Sequence, residues 1–549
     1  MRVRRTANQL TVQAISGTYV VLLGLDLPKN RCNGLMGFAI HRTDHTEGEA
    51  YWLKGLKTFA KTDPELGPGS TYSTREHPIQ GFTWSDFSAK PGHRYTYKVL
   101  ALKGEPDTLA PFATVSVTVT TEDPDGGNHD VYFNRGAAAS QEYARHFKNQ
   151  RPSEPAHFAW LSRGCHEAIV AFIALARNSG WSLRVAAYEF HEKGVLDALR
   201  QAKKRKVDVK IVYDRRQDKP GRKNDAAVKK AGLQAQCTRR KATKSAIAHN
   251  KFIVLLKGSK AVAVLTGGTN FSEGGIFGHS NAVHIVEMPK VADAYLTYWK
   301  LLDADPENAA LRPDVTASFD VPADLPPNGT RAVFSPRSSD DALQWYGKLA
   351  ASAKDGLFAT FAFGMHEVFQ KVYRTSKAGM RFALLEKATR PMKKGPARTA
   401  EEKKIRALRS LAANRFAIGA HLRINSFDRW LAEKTSGLNR NVQYVHTKYM
   451  LIDPLGDVPI LVAGSANFSK ASSTDNDENM LVIRGNRRVA EIYLGEFMRL
   501  YNHYAFREWL ASGRAPADAT PQHLRTNDWW KQYFGNTERS RQREYFASA

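Results

Sequence analysis

Apolar and polar positions alternate with a period of two through much of the first 124 residues. LTVQAI, TYVVLLGL, GFAIHRT, RYTYKVLAL and ATVSVTVTT, each bounded by Pro, Gly or Asp, predict short strands. The last two, joined through KGEPDTLAP, read as the closing hairpin of a β-sandwich. After the polar stretch TEDPDGGNHD (121–130) the pattern changes. LRVAAYEFHEKGVLDALRQAKKRKVDVKIVYD (183–214) reads strand, helix, strand, with Val195, Leu196 and Leu199 at helical spacing, and LFATFAFGMHEVFQKVYRTSKAGMRFALLEK (357–387) repeats that order. Ser162 and Ser335 stand 173 apart, as do Phe190 and Phe363. RRVAEIYLGEFMRLYNHYAFREWL (487–510) has the apolar spacing of a long packing helix. The expected class is α/β, with two tandem, pseudo-twofold-related α/β/α sheet domains behind an N-terminal β-sandwich. The expected organisation is a sandwich over 1–124, a linker over 125–155, a first half over 156–318, a linker over 319–330, a second half over 331–511 and an aromatic, basic tail over 512–549.

The two halves share a more specific repeat. AHNKFIVLLKG…LTGGTNFS, centred on His249, and VHTKYMLIDPLG…VAGSANFS, centred on His446, each carry H-x-K and, 21 residues after the histidine, an asparagine (Asn270, Asn467) followed by Phe-Ser. Both the histidines and the asparagines are 197 residues apart, so the copies are in one register. The offset has grown by 24 since Phe190 and Phe363, and ATRPMKKGPARTAEEKKIRALRSL (388–411) is the expected insertion. In H-x-K on a strand, alternation puts imidazole and ammonium on one face. Two copies face to face would supply His249, His446, Lys251, Lys448, Asn270 and Asn467 around one anionic phosphodiester. Ammonium groups beside the imidazoles repel a cation, so no metal and no cofactor is expected.

These elements resemble the phospholipase D superfamily, whose signature is H-x-K-x4-D with a downstream G-S-x-N. His446, Lys448, Asp453, Gly464, Ser465 and Asn467 match it fully. The first copy has Leu256 at the position of the aspartate and Gly267-Gly268-Thr269-Asn270 for G-S-x-N. The resemblance covers roughly 156–511 and implies two phospholipase D-like domains and a covalent phosphohistidine. It implies His249 as nucleophile and His446 as general acid/base, an assignment that the residues alone leave reversible. In the family an N-x-E element orients a histidine; Asn476-Asp477-Glu478 matches it, and Glu478 takes that role for the second half. In the first half Val283 stands at the matching position, with Asn281, His284 and Glu287 as substitutes. The N-terminal strands resemble a fibronectin type III-like or immunoglobulin-like sandwich.

Charge bears on the substrate. The chain carries +26, but residues 1–124 hold only 14 Lys/Arg against 12 Asp/Glu, whereas 202–244 hold 16 against 4, leading into the first H-x-K. Such a field draws in polyanions, either a nucleic acid or an anionic membrane surface. The loop Phe271–Gly278 offers apolar groups that could dip into a lipid interface, or could form a buried turn. Three functions follow: phospholipid headgroup hydrolysis or exchange as the first reading, a metal-independent nuclease on DNA or RNA as the alternative, and a non-catalytic phosphate binder as the third. No recognition motif for a base sequence is present. Three scattered cysteines argue against a disulfide framework. Neither a signal peptide nor a membrane span is read, so a cytoplasmic protein, peripheral on membranes at most and self-sufficient as a monomer, is expected.

Overall fold

The computed structural model describes residues 1–67, 69–136, 140–216, 219–241, 246–390, 392–419, 438, 442–511 and 523–548. The N-terminal region is a sandwich of two four-stranded antiparallel sheets. One runs Arg2–Ala7, Leu10–Ser16, Val21–Asp26, Thr83–Asp86; the other Ala110–Thr120, Arg94–Lys103, Gly37–Asp44, Glu49–Trp52. Alternate residues of both, among them Val12, Leu23, Phe38, Tyr97 and Val117, close one apolar core. The five strands expected from alternation are present. Arg2–Ala7, Thr83–Asp86 and Glu49–Trp52 are additional; the basic and short polar sequences of these strands hid them from a hydrophobic pattern.

Two seven-stranded sheets follow, with one topology. The first runs His129–Phe133, Ala282–Val286, Lys260–Gly267, Lys251–Lys257, Trp181–Ala187, Asp208–Asp214, Cys237–Arg240. The second runs Gly329–Ser335, Glu478–Arg484, Ile460–Gly464, Tyr449–Ile452, Gly356–Phe361, Met380–Leu385, Asn414–Ile418. In each, the last three strands are parallel and the rest antiparallel. Strand alternation gives each sheet two apolar faces. Val185, Ile211 and Ile253 meet helices Cys165–Ala174, Lys193–Lys204 and Lys219–Ala231. Ala359, Ala383 and Met450 meet Asp341–Ala351, Glu367–Thr375 and Pro396–Arg409. The opposite faces, with Val212, Phe252, Phe358 and Phe382, share one central core with Tyr295 and Trp299 of Pro289–Asp303 and with Phe497 and Tyr501 of Arg487–Ala511. Ile15, Val20 and Leu22 of the sandwich and Phe546 near the C-terminus join it.

Several expectations are corrected. The stretch 125–155 supplies the edge strand His129–Phe133 and the helix Gln141–Phe147 rather than serving only as a linker, and Gly329–Ser335 begins inside the second expected linker. Ser162 ends a helix while Ser335 ends a strand, so their matched spacing is coincidental. Helix Pro396–Arg409 is the counterpart of Lys219–Ala231, so 388–411 is no insertion. The extra length falls mainly after the last parallel strand: Arg240 precedes His249 by nine residues, Ile418 precedes His446 by 28. Most of that segment lies outside the described residues. Of the expected tail, 523–548 docks on the body: Trp529 donates its indole N–H to Leu35 O at 2.7 Å among Phe38 and Phe82.

Candidate active site

His249 and His446 lie on extended chain just before the strands Lys251–Lys257 and Tyr449–Ile452. Each lead-in pairs with the other half. Ala248 bridges Asp477 and Val445 bridges Ser280, both parallel. His249 N donates to Asp477 O at 2.9 Å, Asp477 N to Ile247 O at 3.0 Å, and Ser280 N to Tyr444 O at 2.9 Å. Pairs 197 residues apart thus repeat the same contact, the local signature of a pseudo-twofold axis, and both histidines, Lys251 and Lys448 are buried at it.

The acceptors of the imidazoles cross this axis and are unequal. His249 Nδ1 lies 2.8 Å from Glu478 Oε2, which also accepts the Ser465 hydroxyl at 2.6 Å. His446 Nδ1 lies 2.9 Å from Asn281 Oδ1. Asn281 Nδ2 donates to Gly275 O at 2.6 Å, which fixes the amide so that its oxygen faces the imidazole. Both rings therefore carry their proton on Nδ1 and keep Nε2 for chemistry. The within-half assignment of Glu478 to His446 is overturned, as is Val283 as the matching position. Asn281 is the residue 197 before Glu478, and Val283 is a buried strand residue. His284 bonds His129 and Tyr493 instead, and Glu287 is exposed.

Burial dominates the electrostatics. It pushes His249 down to about 4 against the pull of Glu478, and Lys251 down to about 7. Burial, reinforced by Lys448, His279, Lys251 and His249, holds His446 well below its usual value. Lys448 is likewise depressed by burial and then by Lys251. Each half's cations thus act on the other's titrating groups. Each ammonium donates to the carbonyl of its own motif histidine, Lys251 to His249 O and Lys448 to His446 O. The carboxamide oxygens of Asn270 and Asn467 are buried without a partner. The ammoniums and the amide N–H groups of the two asparagines can donate to a bound anion, whereas the carboxamide oxygens can only accept.

Asp453 is not brought to the histidines. It follows the strand Tyr449–Ile452, at φ +45°, and its carboxylate accepts the backbone N–H groups of Lys354, Asp355 and Gly356 at 2.8–3.1 Å. It ties down the entry to the strand Gly356–Phe361. Its counterpart Leu256 is packed in the central core. The loop Phe271–Gly278 is a buried turn: Phe277 packs edge-on against Phe158 at 4.9 Å, and the turn's Gly275 carbonyl holds Asn281. A Cβ on Gly275 would come within 2.4 Å of Asn270 O, so only glycine fits.

The sequence reading missed three contributors. Ser465 was counted as motif, not as a donor to Glu478. Arg240 belongs to the basic stretch but is fully buried, its Nε 3.0 Å from Asp477 Oδ2 beside the site; Arg215 and Arg216 also pair internally, with Asp225 and Asp214. His279 stacks on His446. Only a charge count corrected for internal pairs could have flagged the arginines.

A family model described as cardiolipin synthase, PLD-like domain, matches residues 171–301 and 348–501, more than half of the chain. This chain belongs to the phospholipase D superfamily. Phospholipase D-like domains act on phosphodiesters, and both half-sites described above fall inside the matched segments. Among solved structures, phosphatidylserine synthase from Haemophilus influenzae Rd KW20 is similar at 14% identity over 64% of this chain and 90% of that one, with a TM-score of 0.43. Nuc from Salmonella typhimurium, a phospholipase D family member, is similar at 25% identity over 31% of this chain and 92% of its own (TM-score 0.22). Polyphosphate kinase from Porphyromonas gingivalis is similar at 12% identity over 58% of this chain (TM-score 0.37), and the match spans 43% of the kinase. Comparison with curated proteins gives no match. No helix among the described residues is long and apolar enough to cross a membrane.

Proposed function

We propose that this phospholipase D superfamily member is a phosphodiesterase that works through a phosphohistidine on His249, with His446 as general acid and base. The crossed, unequal acceptors carry this reading. Glu478 fixes the His249 tautomer so that Nε2 attacks phosphorus. Burial disfavours an imidazolium at His446, but the negative charge of a bound phosphodiester favours it. The P–Nε2 bond forms as the bond to the leaving oxygen breaks, and that oxygen takes the proton then held on His446 Nε2. Phosphorylation leaves positive charge on the His249 ring, and the carboxylate of Glu478 neutralises it. Asn281 offers His446 no such charge, so His446 gives up its proton more readily, as an acid should. In the second step His446 takes a proton from water or an alcohol, whose oxygen attacks phosphorus while the P–N electron pair returns to His249. Lys251, Lys448, Asn270 and Asn467 hold the non-bridging oxygens.

The substrate we assign is a phospholipid headgroup diester, in line with the cardiolipin synthase description of the matching family model. A polynucleotide is the second reading, and two observations favour it. Lys203, Lys204, Arg222, Lys223, Lys229 and Lys230 are exposed on helices of the first half, and the loop Phe271–Gly278 is buried rather than available to a lipid interface. The test incubates the protein in EDTA with anionic phospholipid vesicles and, separately, with single- and double-stranded nucleic acid, against a His446→Ala control. Headgroup release lost in the control supports the lipid reading. Nucleic-acid cleavage lost in the control replaces it with the nuclease. Neither activity, with no phosphoenzyme on either substrate, overturns the catalytic reading altogether.

A further inference from the structure

His279 occupies the position of Asn476 in the other half, and the mechanism above leaves its imidazole unused. Its ring lies almost parallel to that of His446, with centroids 4.1 Å apart at 17°. Its Nδ1 must carry the proton, because it donates to the Val442 carbonyl at 3.1 Å. Burial pushes this imidazole down to about 4, so the ring is neutral and Nε2 is a bare acceptor. That atom is buried and has no hydrogen-bond partner. A buried polar atom without a partner is costly, and His279 Nε2 shares that state with the carboxamide oxygens of the motif residues Asn270 and Asn467. A stretch so polar and so incompletely paired is built for a guest that brings its own hydrogens.

We propose that His279 Nε2 is a second acceptor for the attacking water, beside His446 Nε2, and that it selects hydrolysis over transfer to an alcohol. The inference rests on the phosphohistidine reading. Water has two hydrogens: His446 takes one as a proton while His279 accepts a hydrogen bond from the other. The water oxygen forms its bond to phosphorus, the P–N bond breaks, and its electron pair returns to His249. An alcohol has one hydrogen, so it satisfies His446 and leaves His279 Nε2 unpaired, with the cost of a buried acceptor left bare.

The test uses the whole chain with bis(4-nitrophenyl) phosphate and added methanol, which has one hydroxyl hydrogen to give. The phosphoenzyme partitions between 4-nitrophenyl phosphate and methyl 4-nitrophenyl phosphate, resolved by phosphorus NMR, and the first nitrophenolate burst reads step one alone. His279→Phe keeps a ring against His446 but removes the acceptor, and His279→Asn, the residue of the other half, keeps an acceptor in its amide oxygen. Wild type should form mainly the monoester. Both variants should keep the burst; His279→Phe should shift the partition toward methanol by about tenfold and His279→Asn by less. An unchanged partition in His279→Phe, a wild type that already prefers methanol, or loss of the burst in both variants overturns the role of His279 while leaving the phosphohistidine reading standing. Nitrophenolate release no greater in wild type than in His249→Ala overturns both.

Discussion

At the residue scale, the unequal partners of the two imidazoles make testable demands. Replacing His249 or His446 with Ala should cost at least about 10³-fold in turnover. Glu478→Gln keeps a hydrogen-bond acceptor but removes the charge that stabilises a phosphorylated ring, so turnover should fall about 10²-fold or more with the fold intact, as circular dichroism and steady-state rates would show. Asn281→Asp works in the opposite sense. A carboxylate beside His446 favours its imidazolium, so the proton donor survives to higher pH, and the alkaline limb of the rate profile should move up. An alkaline limb that stays in place would assign that limb to another group. The paired histidines, lysines and asparagines were legible in the sequence because a motif repeated in register needs no knowledge of space. Their partners were not, because Glu478 lies 229 residues from His249 and meets it only where the two halves pack together.

At the scale of elements, Asp453 shows why a motif letter is not a catalytic assignment. Its carboxylate satisfies three backbone N–H groups at the start of the strand Gly356–Phe361. Asp453→Ala should lower stability by about 1–3 kcal/mol, read as a shift in the thermal melt, while turnover of the folded fraction changes little. Asp453→Asn keeps an acceptor and tolerates the left-handed backbone, so it should lie near wild type. Leu256→Asp, which restores the motif letter in the first half, should instead destabilise the protein by several kcal/mol, because it places a carboxylate in the central apolar core. The sheets and their helices were readable from alternation and helical spacing. The strand His129–Phe133 was not: its first two residues belong to the polar stretch 121–130, and only pairing with Ala282–Val286 makes the five a strand.

At the scale of the whole molecule, the C-terminal segment straps the sandwich to the second sheet. Gln13 Nε2 donates to Phe546 O at 3.1 Å, and Arg415 bonds Gln542 and Glu538. Trp529→Ala should destabilise by about 3–5 kcal/mol. Gly24→Ala, whose Cβ would meet Phe546 O at 2.0 Å, should loosen the same strap, seen as early proteolysis of the C-terminus. Acid should act globally as well. His129, His249 and His279 are each held down to about 4 by burial, so the unfolded chain binds protons that the folded chain refuses. Their contribution is intact above about pH 6.5 and is lost as pH falls toward 4, and the melting temperature should drop through that window. The reciprocal bridges Ala248–Asp477 and Ser280–Val445 carry a last consequence. Were the same surfaces joined by two identical chains, each histidine would face the same partner as its twin, and nucleophile and acid would be interchangeable by symmetry. Carrying both copies on one polypeptide lifts that constraint: one letter changed at 281 or 478 alters one imidazole only, and a division of labour becomes encodable.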